Sequence, residues 1–568
     1  YYGFTTPSGI INLTMKRPTE EFGGKINMFG NDHGAIGGHV DVGGTYGKVG
    51  ARINAVLAQV DSGIDKTRGT RSLLAGAFDF RPSDDLLFTI DAERIYKKVN
   101  EPGVYRYTTL PAATPANPYP TVTLPPTVDN SINFGPDWAS NRSGETNMLL
   151  HGQYKLTDQW SVSADFGISD LFRDRHFNTL FPTNFTTGEG TQVISLQKAT
   201  FKNKNTRFQI DGTFATGPLI HEVMIGAAQN VRDGFSPTSV NHVCTPAPCT
   251  NNFFTPRAVV PETPFPVFTG PRTRINDKGL YFFDRIKYQE WLQILGGVRY
   301  SDYTESSRAV TGVRTTTFHA TPVSYSYGGV VKPWEWASVY ATYIQGLETT
   351  PAAPTTATNA GAVLPATKSR QIEGGVKVEP WKGLLLQAAY FDINRGSTFV
   401  NSVNTYVQDG RATYKGFEFS ATGELTQDWS VYASALFLKA KQATGAPTRT
   451  TPTFVPTVVG LRIESTPKRT FSLSSEYRFS EWFPGVAVTG AVYYTGNQAI
   501  NSVNSAFIPS VTLFDMGLSY KREVYGYMTT FRLNGQNITD KNYFSSTGAS
   551  IVAKGTPRTI KFSIGTEF

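Results

Sequence analysis

The feature that most constrains the fold of this chain is a regular alternation of short and long connections between strand-like segments. Apolar and polar side chains alternate along stretches such as 86–93, 429–437 and 559–568, which is the pattern of a β-strand with one apolar face. Ten connections are tight turns, at residues 46–48, 81–85, 155–159, 216–219, 287–290, 332–335, 379–383, 424–428, 480–485 and 521–526. Eleven are long loops, at residues 31–37, 61–71, 96–145, 173–199, 231–279, 304–323, 346–369, 394–413, 440–469, 496–511 and 535–558.

This alternation predicts the architecture. Short and long connections follow each other without exception, so that all long loops lie at one end of an antiparallel sheet of 22 strands. Outer-membrane barrels have an even number of strands, tight periplasmic turns and long extracellular loops, whereas a soluble sandwich has no reason to sort its loops. The chain has no run of about 18 apolar residues, which excludes a helical membrane span. We therefore predict an all-β fold, a 22-stranded antiparallel transmembrane β-barrel over residues 19–568, in the bacterial outer membrane.

The tryptophans support the same orientation. Seven of the eight lie in or beside a short turn, and only Trp138 lies in a long loop. Indole side chains prefer the membrane–water interface, so these seven residues are expected to form the periplasmic aromatic girdle: Trp160, Trp291, Trp334, Trp336, Trp381, Trp429 and Trp482.

The number of strands limits the function. A cylinder of 22 strands is on the order of 40 Å across and would leak large solutes if it were left open, so a plug is expected. Charged residues on the polar strand faces should point into the lumen, because each would cost a few kcal/mol against lipid. These residues are Asp91, Glu93, Glu373, Lys377, Glu418, Glu476, Arg478, Asp515, Arg532 and Lys561.

Charge and cysteine content exclude or favour some partners. The net charge is +8, but the basic residues are scattered, which argues against a nucleic-acid partner. The two cysteines, Cys244 and Cys249, enclose a short proline-containing segment of a long loop. We predict that they form a disulfide that stabilises this loop in an oxidising compartment.

Both ends of the chain resemble a known family. Residues 2–18, Tyr-Gly-Phe-Thr-Thr-Pro-Ser-Gly-Ile-Ile-Asn-Leu-Thr-Met-Lys-Arg-Pro, are similar to the last plug segment of TonB-dependent outer-membrane receptors. Residues 537–543, Asn-Ile-Thr-Asp-Lys-Asn-Tyr, and 555–559, Gly-Thr-Pro-Arg-Thr, followed by a strand that ends in Phe568, resemble the C-terminal segments of that family. On this resemblance, residues 1–18 are the end of a plug domain, and the bulk of the plug and the TonB box belong upstream of Tyr1.

The resemblance, which is closest to ferric-siderophore receptors, also implies a function. It implies import of a ferric siderophore by extracellular loops and plug, driven by the TonB–ExbB–ExbD complex, without covalent chemistry, so that no enzyme activity and no resident cofactor are expected. Iron would enter only as part of the ligand. Cobalamin or an oligosaccharide is the alternative cargo, and a passive pore the alternative mechanism. Outer-membrane lipid and lipopolysaccharide are the expected surroundings.

Candidate ligand residues come from the aromatic and basic side chains of the long loops. Siderophore complexes are often anionic and carry planar groups, which aromatic faces and guanidinium groups bind well. The chosen set is Tyr105, Tyr107, Trp138, Arg173 and Arg175. The alternative for each residue is that it packs loops against one another. The seven histidines are isolated from one another in the sequence, so no metal site is expected.

Overall fold

The computed structural model describes most of the chain. The described residues are 12–106, 111–243, 249–258, 262, 264–308, 313–348, 350, 353, 357–360, 362, 364–401, 403–445, 454–548 and 551–568. They include no helix long and apolar enough to cross a bilayer.

Twenty-two antiparallel strands form a closed barrel, as the sequence predicts. In chain order they are β1 (Gly23–Asn31), β2 (Ile36–Tyr46), β3 (Val49–Asp61), β4 (Arg68–Ser83), β5 (Leu86–Asn100), β6 (Ser140–Lys155), β7 (Trp160–Pro182), β8 (Glu189–Thr216), β9 (Leu219–Phe235), β10 (Arg272–Tyr288), β11 (Leu292–Arg308), β12 (Val323–Trp334), β13 (Ala337–Glu348), β14 (Thr367–Val378), β15 (Leu384–Val400), β16 (Tyr406–Glu424), β17 (Trp429–Thr444), β18 (Arg469–Arg478), β19 (Val486–Thr495), β20 (Val511–Val524), β21 (Tyr527–Gln536) and β22 (Thr559–Glu567).

The first and last strands close the cylinder. Each strand pairs with the next along the chain, and β1 pairs with β22 with Met28 opposite Ile564. An ion pair of 2.7 Å between Lys25 and Glu567 spans the same seam. Because the last pairing leaves no free edge, every strand of the wall satisfies its backbone hydrogen bonds within the sheet, which a lipid environment requires.

Tight turns lie at one end of the barrel and all the long loops at the other, as predicted, but two of the predicted long loops are wrong. Residues 173–199 mostly continue β7 and β8, and only residues 183–188 connect these two strands. Likewise, residues 401–405 alone connect β15 to β16. These strands extend past the lipid as hydrogen-bonded ribbons. Outside lipid neither face has to be apolar, so the alternation that marks a membrane strand disappears although the backbone pairing continues.

The two faces of the wall differ as expected. Apolar side chains such as Phe88, Phe471 and Phe562 are exposed on the outer face. The charged residues predicted for the lumen alternate with them along the same strands and therefore face inward. All seven turn tryptophans lie at the short-turn end of the barrel, and the rings of Trp334 and Trp336 stack with their centroids 5.1 Å apart.

The segment before β1 runs along the lumen wall. Lys16 forms an ion pair of 2.6 Å with Asp41 of β2. Arg17 pairs with Asp79 of β4 and, at 2.5 Å, with Asp91 of β5. These ion pairs attach residues 16 and 17 to three strands. Residues 1–11 lie outside the described residues, and the assignment of 1–18 to a plug domain stays a prediction.

Candidate functional site

The long loops meet over the barrel mouth in an apolar cluster, here called the loop core. Its side chains come from four different connections and from the extended end of β7, and they exclude water almost completely. The members are Tyr105, Val128, Phe134, Leu180, Phe253, Ile500, Ile508, Phe544 and Val552. Short strands within the loops support it, because Val104–Arg106 pairs both with β7 and with Ile551–Lys554. The loops on this side of the mouth are therefore a packed cap.

Tyr105, a predicted ligand residue, lies at the centre of the loop core. Its side chain is 0% exposed, and its ring centroid lies 5.4 Å from that of Phe134 and 5.7 Å from that of Phe253. The Tyr105 hydroxyl has no hydrogen-bond partner among the described residues, and burial raises the pKa of this phenol. The structure thus gives Tyr105 a packing position, with no surface open to a ligand while the cap is closed.

A buried amide network lies beside the loop core. Gln192 Nε2 donates to the Asn178 side-chain oxygen and to the Phe134 carbonyl, at 3.2 Å each. Asn251 Nδ2 donates to Gln192 at 2.7 Å and to the same Phe134 carbonyl at 3.1 Å. These bonds tie β7, β8 and two loops together. Because buried amides need correctly placed partners, this network fixes how the loops sit on the β7–β8 ribbon.

The two predicted arginines lie on the face of β7 that continues the lumen wall, but their surroundings differ. Arg175 is half-buried, with Nε 2.5 Å from a carboxylate oxygen of Glu101 and its guanidinium 4.2 Å from the centre of the Phe177 ring. Glu101 also accepts a bond from Asn141 at 2.5 Å. Arg173 is exposed and has no ion pair among the described residues. Of the two residues, Arg173 is the one that is free to meet an anionic ligand.

Trp138 belongs to a different cluster. Its ring lies 5.4 Å from the imidazole of His176 and 5.2 Å from that of His242, and His176 also contacts Phe265 at 5.2 Å. Burial lowers the pKa of both histidines. Since successive residues of a strand face opposite sides, His176 and Trp138 lie across β7 from Arg175. The structure does not bring Trp138 together with the two arginines.

Lys554 connects the last long loop to the loop between β5 and β6. Its ammonium donates to the Asp129 carbonyl at 3.1 Å and to the Ile132 carbonyl. Burial lowers the pKa of Lys554 to about 8, and the carboxylates of Asp129 and Asp65 partly oppose that shift. Asn130 reinforces the contact by donating to the carbonyls of Lys541 and Thr556 at 2.9 and 3.1 Å.

Some predicted site residues lie outside the described residues. Tyr107 is one of them, and its ligand role stays a prediction. Cys244 is another, so the predicted disulfide with Cys249 also remains a prediction. The sequence pattern missed Glu101 and Lys554, which hold the cap. Neither residue carries a local signal, because their partners are far away in the chain. The described residues contain no group of three or more His, Cys, Asp or Glu side chains that could hold a metal ion.

Comparisons with known proteins agree with this geometry. The chain is 24% identical to the ferrichrome receptor FcuA of Yersinia enterocolitica, over 99% of this chain and 73% of that protein. It is 23% identical to the ferrioxamine B receptor of Salmonella typhimurium, over 100% of this chain and 78% of that protein. The crystal structure of BauA, the ferric preacinetobactin receptor of Acinetobacter baumannii, superposes with a TM-score of 0.86 at 22% identity, covering 97% of this chain and 81% of that one.

A second solved structure has the same fold. The closed form of the ferric-catecholate import receptor Fiu of E. coli gives a TM-score of 0.85 at 18% identity, over 100% of this chain and 84% of that one. The sequence model of the TonB-dependent receptor-like β-barrel family matches residues 69–538. The chain therefore belongs to the family of TonB-dependent receptor-like β-barrels.

Proposed function

We propose that this protein is an outer-membrane transporter that imports a ferric siderophore into the periplasm, driven by the TonB–ExbB–ExbD complex. The observation that carries the proposal is similarity along the whole chain to receptors named for ferrichrome and ferrioxamine B, on a closed barrel of 22 strands. Both alignments extend over essentially the whole chain, at 24% and 23% identity, so they include the loops as well as the membrane wall.

The physics of the barrel favours a gated transporter over an open pore. A 22-stranded barrel is wide enough to need a plug, and Lys16 and Arg17 already attach one chain segment to the lumen wall through Asp41, Asp79 and Asp91. A plug that fills the lumen makes transport depend on an energy source that moves it. We assign that role to the TonB complex. Nothing in this scheme requires a covalent step.

Arg173 is our first choice for a ligand contact. It lies on the lumen-side face of β7 above the membrane, it is exposed, and no carboxylate among the described residues neutralises it. A guanidinium group can bind a carboxylate or catecholate oxygen through two parallel hydrogen bonds. Tyr107 and Trp138 remain proposed contacts, Arg175 would act with Glu101 as its fixed partner, and Tyr105 would become available only if the cap opened. Iron would be cargo, and no resident cofactor is proposed.

Uptake by cells tests the proposal. A host that lacks its own siderophore receptors would express the full-length protein and receive radioiron-labelled ferrichrome or ferrioxamine B. We expect saturable uptake that stops when TonB is deleted. Import of labelled cobalamin or an oligosaccharide, with no import of either iron complex, would replace the siderophore by the alternative cargo. Liposomes that hold the full-length protein should be tight to small sugars, and steady leakage would support a passive pore.

A further inference from the structure

A row of basic side chains crosses the wall of the barrel from β4 to β7. Arg71 of β4 lies directly opposite Lys97 of β5 in the ladder. Ser143 of β6 pairs with Lys97 on one side and with Arg173 of β7 on the other. Arg71, Lys97 and Arg173 are exposed and occupy one level of the sheet. We call these three residues the lumen basic row.

The spacing along the strands places the lumen basic row inside the barrel. Asp79 of β4 and Asp91 of β5 point into the lumen, where both bind Arg17. Arg71 lies eight residues from Asp79, and Lys97 lies six residues from Asp91. Side chains an even number of positions apart share one face of a strand. Both cations therefore point into the lumen, as the third member of the row does.

The lumen basic row lies at the extracellular mouth, above the membrane. A strand tilted by about 40° rises about 2.5 Å per residue along the barrel axis. Arg71 lies 12 residues from the periplasmic end of its strand at Ser83, and Arg173 lies 13 residues from Trp160. These spacings correspond to heights of about 30 and 33 Å, whereas the apolar band of such barrels is about 25 Å tall. A solute that enters the barrel therefore passes the row before it reaches the level of the membrane.

Acids near the lumen basic row do not neutralise it. Glu101 is bound to Arg175, at 2.5 Å. Glu145 lies two residues below the row on β6 and accepts a hydrogen bond from the Ser169 hydroxyl at 3.0 Å. Within the described ranges of the chain, no salt bridge involves a member of the row. Because a single carboxylate offsets only one of three positive charges, the row keeps a net positive charge.

The wall holds these like charges together. Arg71 and Lys97 stand directly opposite each other, and like charges in that position destabilise a sheet. The Phe29 ring of β1 lies over Gly37 of β2, where an added Cβ atom would come within 2.6 Å of the ring. The Arg71 guanidinium lies 5.8 Å from the centre of this ring, a contact that orients the guanidinium but leaves its N–H donors free. An anion from outside the wall would relieve the repulsion.

We propose that the lumen basic row selects anionic ferric siderophores, in which carboxylate or catecholate groups outweigh the charge of Fe³⁺. The inference rests on the proposed siderophore function and names the class of complex. Three hydroxamates, by contrast, balance the charge of Fe³⁺ and give an uncharged complex that gains little from the row. Arg71 and Arg173 supply planar donors that match carboxylate oxygens, and Lys97 supplies a compact charge. The concave inner wall directs all three side chains toward one solute.

Charge-neutralising variants of the full-length protein test the row. The row variant is R71Q/K97Q. The matched control is K98Q/R142Q, which removes two exposed cations that lie opposite each other on the outer face of the β5–β6 ladder. The readout is equilibrium binding of radioiron-labelled complexes to detergent-solubilised protein. Ferric enterobactin and ferric aerobactin are the anionic probes, and ferrichrome is the uncharged probe.

The expected effect depends on the charge of the probe. An exposed ion pair contributes up to about fivefold to an equilibrium constant. The row variant should therefore bind an anionic probe about 25-fold more weakly than the parent protein does, and its affinity for ferrichrome should not change. The control variant should bind all three probes like the parent protein. The charge-conserving variant R71K/K97R should keep most of the affinity for the anionic probe.

The outcomes separate this inference from the proposed function. Tighter binding of at least one anionic probe than of ferrichrome, lost in the row variant alone, supports the inference. It is overturned if ferrichrome binds at least as tightly as both anionic probes, or if the row variant weakens ferrichrome equally; the siderophore function then still stands. Equal affinity of the row variant and the parent protein for the anionic probes also overturns it. If none of the three complexes binds, both the inference and the proposed function fail.

A measurement on the parent protein keeps the inference testable if the row variant does not fold, which heat-dependent gel mobility shows. Raising the salt concentration from about 0.05 M to about 0.5 M screens exposed charges. The affinity for the anionic probe should then fall, and the affinity for ferrichrome should stay constant. Equal salt dependence of the two affinities overturns the inference.

Discussion

Replacing Tyr105 discriminates between a loop-packing residue and a ligand residue. The side chain is 0% exposed between Phe134 and Phe253. Truncation of a fully buried aromatic side chain to alanine costs about 3–5 kcal/mol. Here the truncation destabilises the closed state of the cap relative to its open state. Since every 1.4 kcal/mol is a factor of ten, Tyr105→Ala should raise the open population of the cap roughly 100- to 4000-fold.

Tyr105→Phe should behave differently. It keeps the ring and its contacts but removes a hydroxyl that has no hydrogen-bond partner among the described residues. A buried polar group without a partner costs about 1–3 kcal/mol. The cap of the phenylalanine variant should therefore be at least as closed as that of the parent protein. It should also keep its siderophore affinity, because the hydroxyl has no route to the ligand in the closed cap.

The assay is protease cleavage of the loops in intact cells at low protease concentration, where the cleavage rate follows the open population. Tyr119→Ala is the matched control, since Tyr119 is in the same loop but 37% exposed, with its hydroxyl bonded to the Thr457 carbonyl at 2.8 Å. Tyr119→Ala should raise the rate of protease cleavage much less than Tyr105→Ala does. The reasoning fails if Tyr105→Ala is cleaved no faster than Tyr119→Ala, or if Tyr105→Phe loses siderophore affinity while its loops stay protected.

Three further predictions concern charges at the mouth. Burial lowers the pKa of Lys554 to about 8, so the closed cap binds fewer protons than the open cap between pH 8 and the ordinary lysine pKa. Protection of the loops from protease should therefore rise with pH through this window. Lys554→Met should remove this rise. Burial also lowers the pKa of His176 and His242, so acidification below about 6.5 should loosen the loop that carries His242, and H176Q/H242Q should abolish this effect. Finally, Arg173→Ala should weaken ferric-siderophore binding about tenfold without changing barrel stability, as expected for one lost charged hydrogen bond of an exposed group.

The controls for these three predictions are specific. If Lys554→Met still gains protease protection as the pH rises, other lysines or tyrosines cause that response. If H176Q/H242Q still loses protection on acidification, nearby carboxylates cause that loss; Asp174 and Glu262 are the ones that act on His176. Arg175→Ala is the comparison for Arg173, because it leaves Glu101 without its ion-pair partner and should reduce loop protection as well as affinity. If both arginine variants lose loop protection equally, Arg173 has a structural role and our ligand assignment is wrong.

The barrel could be predicted from sequence because the membrane imposes its own pattern. Lipid forces every second side chain of a spanning strand to be apolar and places indoles at one interface, so the strand number and orientation are visible locally. The extensions of β7 and β8 beyond the membrane were not predicted, because the apolar–polar alternation stops where the strands leave the lipid. Arg173 and Arg175 are typical of a solvated loop, and only the pairing of Arg173 with Ala199 on the neighbouring strand shows that the ladder continues.

The cap could not be predicted, because its contacts join residues that are distant in sequence. Lys554 meets the carbonyls of Asp129 and Ile132 more than four hundred positions away, and this contact exists only because β1 closes on β22. Aromatic residues in long loops can bind ligand or bury one another, and composition does not distinguish these roles. Here the closed barrel favours burial over ligand binding, since it brings Tyr105, Phe253 and Val552 together in the loop core.

Two groups of long loops at the mouth differ in their resistance to opening. The first group shares the loop core, and the loop before β18 joins it through bonds such as that from Arg462 to Asn497 at 2.9 Å. The second group connects β13 to β14 and β15 to β16. Its described residues contribute nothing to the loop core; they bury only small apolar side chains, Ala353 and Ala357, and form hydrogen bonds such as that from Thr358 to the Asn404 carbonyl at 3.1 Å. Apolar burial contributes far more per residue than exposed hydrogen bonds. The second group should therefore open at lower free energy, and a ligand approaching the mouth meets its least costly opening above β13–β16.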